Sequence, residues 1–174
     1  MAHDIIIREA NLADVSAIMQ IVKDVVPLMQ AAGNFQWSDD YPNPDVFESD
    51  IALNQLWVVE DDGNVVGVAA ITTEQYAEYA QLGWDINEIA IVVHRLAVSP
   101  HFQGRGIAAA LVAEADREAA RRGIKLLRVD TNSQNKAIQK LFPKMGYDFG
   151  GEITLEFRPG LSFYCYQKRL DPSV

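Results

Sequence analysis

Between His94 and Ala108 the chain reads His-Arg-Leu-Ala-Val-Ser-Pro-His-Phe-Gln-Gly-Arg-Gly-Ile-Ala, and an apolar-faced helix continues from there. Gln103, Gly104, Gly106 and Ala108 place small or polar residues at the helix start, where a phosphate can approach the backbone closely. The free N–H groups of a first helical turn point at such a group, and the helix dipole favours its negative charge. Arg105 adds a mobile cation at the same place. A glycine turn that merely joins strand to helix needs none of these extra features, so the segment points to a small phosphorylated cofactor.

Two phosphate-binding patterns compete for this segment. Gly104-Arg-Gly106-Ile-Ala-Ala109 also satisfies the G-x-G-x-x-A pattern of dinucleotide-binding folds, and Asp130 ends the next expected strand. In that fold, however, the first glycine follows the strand directly, whereas Ser99-Pro100-His101-Phe102-Gln103 intervenes here. The fold also usually opens its domain, and the chain beyond Thr131 offers one short helix and a hairpin rather than further βαβ units. A nucleoside-triphosphate loop, G-x-x-x-x-G-K-[ST], is absent from the sequence.

The elements that must position this bend can be read from periodicity. Ile5–Ile7 predicts a short strand. Asn11 offers an N-cap for a helix whose apolar face is Leu12, Val15, Ile18, Met19, Val22 and Val26, and Pro27 is expected to kink or end it. A loop over Gly33–Pro42 carries Phe35, Trp37 and Tyr41, and Asn43-Pro44 starts a second helix running to about Asn54. Leu56–Glu60 and Val65–Thr73 form a hairpin around Asp61-Asp62-Gly63-Asn64. Residues 74–86 read as loop or irregular helix. Ile89–Val98 is apolar enough for a strand buried on both faces, and a helix follows from about Gly104 to Arg122. A strand over Lys125–Thr131, a helix over Asn135–Met145 and strands over Tyr147–Thr154 and Ser162–Lys168 complete the order β α α β β β α β α β β. That order describes one mixed α/β domain, residues 1–174, with a central βαβ crossover.

Composition narrows the function classes. With 24 acidic against 15 basic residues the chain carries a net charge of −9, which argues against coating nucleic acid. Its single cysteine, Cys165, excludes an internal disulfide framework and a multi-cysteine zinc site. Cys165 reads as a small core residue of the last strand rather than an acyl carrier. His3 and His101 show no metal spacing. The longest apolar runs, Val65–Ile71 and Ile89–Val93, are far shorter than a membrane span. No secretory signal opens the sequence, so a cytoplasmic location and no membrane partner are expected.

Gln103-x-x-Gly106-x-Ala108 after Leu96-Ala97-Val98 resembles the acetyl-CoA signature of the GNAT acetyltransferase superfamily, (Arg or Gln)-x-x-Gly-x-(Gly or Ala). The run from Asn135 through Phe142 to Gly146-Tyr147 resembles the family's second cofactor segment, Asn…Tyr-x-x-x-Gly-Phe. The likeness is tight over about residues 94–147, whereas the N-terminal third carries no specific motif. It implies a mixed, mostly antiparallel central sheet with a splayed central strand pair and flanking helices. It further implies acetyl-CoA as co-substrate, with its pantetheine arm paired to Leu96, Ala97 and Val98 as an added strand. The Val98 N–H would face the acetyl carbonyl, amides from Gln103 through Gly104, Arg105, Gly106 and Ile107 to Ala108 would hold the pyrophosphate, and Asn135 would contact the arm or the adenosine side. Homodimers are common in the family, although the sequence shows no explicit interface signature.

Acetylating an alkyl amine, whose pKa is about 10.4, requires a proton acceptor, a donor for the developing oxyanion and a proton for the thiolate. His94 is the candidate base, because an ordinary imidazole (pKa about 6.5) is mostly neutral at pH 7. Strand alternation would place it on one face with Leu96 and Val98. The segment Val93–Val98 is also similar to the serotonin N-acetyltransferase strand, where a histidine in this place helps remove the amine proton. The alternatives are a buried histidine satisfied by a backbone carbonyl, with Glu88 acting through water; many family members use a glutamate on this strand. The family's usual acid, a tyrosine, falls at Phe142, which has no hydroxyl; Tyr147, Tyr164 or Tyr166 could substitute. Phe35, Trp37 and Tyr41, near Asp39 and Asp40, suit a cationic amine, or else plug the core edge. Tyr76, Tyr79 and Trp84 pose the same question. The expected activity is N-acetylation of a primary amine of a small molecule in a ternary complex. An acetyl-CoA-binding sensor without turnover and a peptide or protein N-acetyltransferase are the alternatives.

Overall fold

The computed structural model describes residues 4–171. Seven strands form one sheet in the order β1-β2-β3-β4-β5-β7-β6. They are β1 (Ile5–Glu9), β2 (Leu56–Asp61), β3 (Asn64–Thr72), β4 (Ala90–Val98), β5 (Leu126–Asn132), β6 (Asp148–Thr154) and β7 (Ser162–Arg169). Every neighbouring pair is antiparallel except β4 and β5, which are parallel and joined through helix α3 (Ile107–Arg121). A parallel pair requires such a crossover, and the helix then covers one face of the sheet.

Two cores sandwich the sheet. On one face α3 buries Ile107, Leu111 and Val112 against Val66, Ile71, Ile91 and Val93. Each such side chain contributes about 1.5–3 kcal/mol on leaving water. Gly67 permits the close approach: a Cβ there would stand 2.7 Å from Ile107 Cγ2 and 3.3 Å from Leu111 Cδ1. On the opposite face α1 (Val15–Ala31) and α2 (Pro44–Ala52) pack Ile18, Ile21, Val22 and Phe47 onto Val58, Val68, Ala70 and Ala97. A third cluster, around Tyr79, Leu126, Ile153 and Phe163, fills the β5–β7–β6 side.

Helix α1 continues through Pro27 to Ala31, contrary to the ending expected there. Proline deletes one backbone hydrogen bond and crowds the preceding turn, a cost of about 3 kcal/mol. Buried Ile18, Ile21, Val22 and Val26 hold the same face of the helix on the sheet, which offsets it. The last turn, with Leu28 and Met29, thereby reaches the cleft at the carboxyl end of β4.

Strand β4 has a bulge. Ala70 pairs with His94 and Val68 with Ala97, so two steps on β3 match three on β4. Arg95 absorbs the extra residue with a left-handed φ of 54°. That conformation is costly for a side chain with a Cβ. The Arg95 guanidinium is tied to the buried Asp50 of α2 by two bonds of 2.7 Å, and Gln55 Nε2 donates to the same carboxylate at 2.9 Å. Leaving a buried charge of this kind unpaired costs about 3–5 kcal/mol.

Candidate active site

Strands β4 and β5 pair only from Ala90–Val93 to Leu126–Val129. Beyond Val93 they part, and a cleft of about 880 Å³ opens at their carboxyl ends. Ser99 N–H donates to the Val66 carbonyl at 2.8 Å, so Val98 and Gly67 form the non-hydrogen-bonded kind of antiparallel pair. The Val98 N–H therefore turns away from β3, to the side from which β5 has diverged. Val93 through Val98 all line the opening.

One end of the cleft is the bend before α3. Gly104 and Gly106 have φ of 77° and 75°, and a Cβ at either would meet nothing within 4 Å. The helix proper starts at Ile107, three residues later than its glycines suggest, because these left-handed residues precede it. Among the described residues no side chain caps α3. Its first-turn amides are thus left to other partners, and the open space at both glycines fits a phosphate group. Gln103, Gly104, Gly106, Ile107 and Ala108 line the cleft. Arg105 does not: its guanidinium lies 3.4 Å from Asp61 and 5.0 Å from the Phe102 ring centre. Across the opening, Asn135 caps α4 (Lys136–Lys144) by accepting from Ile138 N at 3.3 Å, and it lines the same wall with Lys136 and Phe142. Phe142 is buried against Tyr147 and Tyr166.

His94 sits at the other end, nearly buried. Its Nε2 lies 2.9 Å from the Glu74 carbonyl oxygen. A carbonyl only accepts, so this bond requires the proton on Nε2 and leaves Nδ1 as the basic nitrogen of the neutral ring. The carbonyl contact expected of a purely structural histidine is present, yet the ring also lines the cleft. The bulge places His94 on the parity of Ala97, toward the α1 face, while Leu96 and Val98 pack with the α3 core. The shared face expected from simple alternation is thus broken by the one extra residue at Arg95.

The other expected catalytic and acceptor residues separate clearly. Glu88 precedes β4 outside the cleft, where Arg169 clamps its carboxylate with two bonds of 2.8 Å. The hydrogen bonds from Arg169 hold its pKa below the ordinary carboxylate range. Trp37 is buried in the α1–α2 core and also lines the cleft, as does Tyr41. Phe35 is 59% exposed and is not a cleft wall; nor are Asp39 and Asp40, both exposed. Tyr147, Tyr164 and Tyr166 lie outside the lining. Burial pushes the Tyr147 hydroxyl up, and it has no hydrogen-bond partner among the described residues.

Several cleft residues carried no sequence motif. Tyr76 stands edge-on to His94 with ring centres 5.2 Å apart, and burial raises its hydroxyl pKa. Asp130, on β5, accepts a 2.5 Å bond from Tyr79 Oη. Burial raises the Asp130 pKa, while nearby His94 and the Tyr79 hydroxyl act in the opposite sense. Phe157 and Arg158, from the β6–β7 loop, close the His94 end. Only the aromatic–arginine pairing in Phe157-Arg158-Pro159-Gly160 hinted at them. Among the described residues no group of His, Cys, Asp and Glu is placed to hold a metal ion, and no helix is long and apolar enough to cross a membrane.

A strand splay leading to a glycine bend defines a class of acyl-transfer folds, and comparison with known proteins agrees. The acetyltransferase (GNAT) domain family matches residues 52–148, more than half of the chain. The chain therefore belongs to the GNAT acetyltransferase family. YesJ of Bacillus subtilis (strain 168), named as an uncharacterized N-acetyltransferase, is 25% identical over 142 residues, covering 79% of this chain and 78% of that protein. A GNAT-family acetyltransferase from Streptococcus agalactiae 2603 superposes with a TM-score of 0.76 at 26% identity, over 96% of each chain. The yncA protein of Salmonella typhimurium, solved with acetyl-CoA, shares the fold with a TM-score of 0.71 at 24% identity, over 97% of this chain and 95% of its own.

Proposed function

We propose that this protein transfers acetyl from acetyl-CoA to a primary amine of a small molecule, by direct attack in a ternary complex. The observation that carries the reading is the continuity of the cleft: open glycine amides at Gly104–Ala108, a Val98 N–H turned into the strand gap, and His94 at the far end. Acetyl-CoA supplies the activated thioester carbonyl. First-turn amides of α3 hold its pyrophosphate, and the edge of Leu96, Ala97 and Val98 pairs with its arm. Val98 N–H donates to the carbonyl oxygen as negative charge develops there. His94 Nδ1 takes the ammonium proton, directly or through a water. The amine nitrogen then forms a bond to the acetyl carbon, the carbon–sulfur bond breaks with its electron pair going to sulfur, and the second nitrogen proton passes to the thiolate as Tyr76 Oη gives up its own proton and takes that one.

Tyr76 replaces the hydroxyl missing at Phe142. It lines the cleft edge-on to His94, and it acts as a proton relay rather than a strong acid, because burial raises its pKa and holds its proton more tightly. Aromatic walls at Trp37, Tyr41, Tyr76 and Phe157 favour a compact acceptor over an extended peptide.

Thiol release measured on a panel of polyamines, amino acids, aminoglycosides and short peptides, beside acetyl-CoA affinity, tests the reading. Turnover on small amines is expected. In Gly106→Glu, acetyl-CoA affinity should fall at least a hundredfold, because a carboxylate would occupy the phosphate position on a residue with left-handed φ. Tight acetyl-CoA binding without turnover on any amine would replace the enzyme by a sensor. Unchanged affinity in the variant would remove the cofactor assignment itself.

A further inference from the structure

The formal charges around the His94 end of the cleft are nearly all spoken for. Arg95 is paired with Asp50 by two short bonds. Asp130 accepts from Tyr79. Arg158 differs: no carboxylate among the described residues lies within ion-pair distance of it, although it lines the cleft and is only half-exposed. Its guanidinium carbon instead lies 4.7 Å from the Tyr41 ring centre and 5.4 Å from that of Phe157. Phe157 in turn touches Tyr76, ring centres 5.5 Å apart, and Tyr76 touches His94. Glu78 and Glu156 border the shallow groove on the other side of Arg158, neither close enough to pair with it. The bend that suits phosphate lies at the opposite end, so Arg158 is not needed there.

We propose that Arg158 binds a carboxylate of the acceptor, making the acceptor an α-amino acid with an apolar or aromatic side chain. This rests on the acetyltransferase reading and names its substrate class. A planar guanidinium held against two rings is pre-organised to receive a carboxylate through two parallel hydrogen bonds. The α-amine, one carbon from the carboxylate, is then directed past Tyr76 toward His94 and the Val98 amide. The side chain lies among Met29, Trp37, Tyr41 and Leu155, none of which carries a charge. Asp39 and Asp40, which would attract a purely cationic acceptor, are exposed and outside the cleft.

The test compares leucine, methionine and phenylalanine with their carboxamides as acceptors, in the parent protein and in Arg158→Gln and Arg158→Lys. The amine of a carboxamide loses its proton more readily, so a preference for the acid would run against the supply of free amine. At least one acid should exceed its amide by tenfold or more in kcat/KM, chiefly through KM. Arg158→Gln should bring that ratio close to one, and Arg158→Lys should restore part of it, since a point charge remains. A general folding defect would lower both acceptors and leave their ratio unchanged; that result overturns the proposal. Amides accepted as well as acids by the parent would also overturn it while leaving an acetyltransferase in place. Turnover of neither acceptor class, nor of any amine in the wider panel, would overturn both.

Discussion

His94 bonds through Nε2 to the Glu74 carbonyl, so its orientation is set by main chain rather than by a carboxylate. Removing the ring should therefore cost chemistry and spare cofactor affinity. His94→Ala is expected to lower kcat by about a hundredfold or more, the usual scale of a general base. Steady-state kinetics, with acetyl-CoA binding measured alongside, checks both. An unchanged kcat in the variant would return His94 to a structural role. His94 and the glycine bend were legible as residues because each has distinctive local chemistry. Tyr76 and Arg158 were not singled out for these roles, because a lone tyrosine or arginine in a loop acquires meaning only from what it faces.

Elements carry the cleft through two departures from regularity. The bulge at Arg95 shifts the parity of β4, and the divergence after Val93 frees the strand edge. Beside them α3 lies close over β3, which Gly67 allows. Gly67→Val should force Ile107 and the start of α3 outward, destabilising the fold by about 1–3 kcal/mol, as overpacking generally does. Thermal and urea melts would read the loss of stability, and acetyl-CoA affinity should fall with it because the phosphate bend sits on that helix start. A stable variant with normal affinity would mean that α3 is free to shift without cost. The strands and helices themselves followed from periodicity, and the hairpin at Asp61–Asn64 from its turn residues, since those signals are local. Pro27 does not end α1, because the favourable packing of that helix on the sheet is not a local property.

At the scale of the molecule, the cleft lies between two lips that pack on different partners: β4 and the α3 start on one side, β5 and the α4 start on the other. A ligand bridging them should couple their stability. Acetyl-CoA at about a hundred times its Kd is expected to stabilise the fold by about 2.7 kcal/mol, and the thermal midpoint should rise with ligand concentration. Hydrogen exchange should slow at 93–98, 103–110 and 130–137 together, while β1 at the sheet edge stays unchanged. Protection confined to one lip would argue against a bridging ligand. The bend, the central crossover and the mixed α/β class were readable along the chain, because each arises from residues within a turn or two of one another. The strand splay, the face that His94 occupies and the packing of Arg158 against Tyr41 and Phe157 were not readable in that way. They depend on pairing register and on which distant side chains meet, and those are settled when β3, β5 and the β6–β7 loop pack around β4.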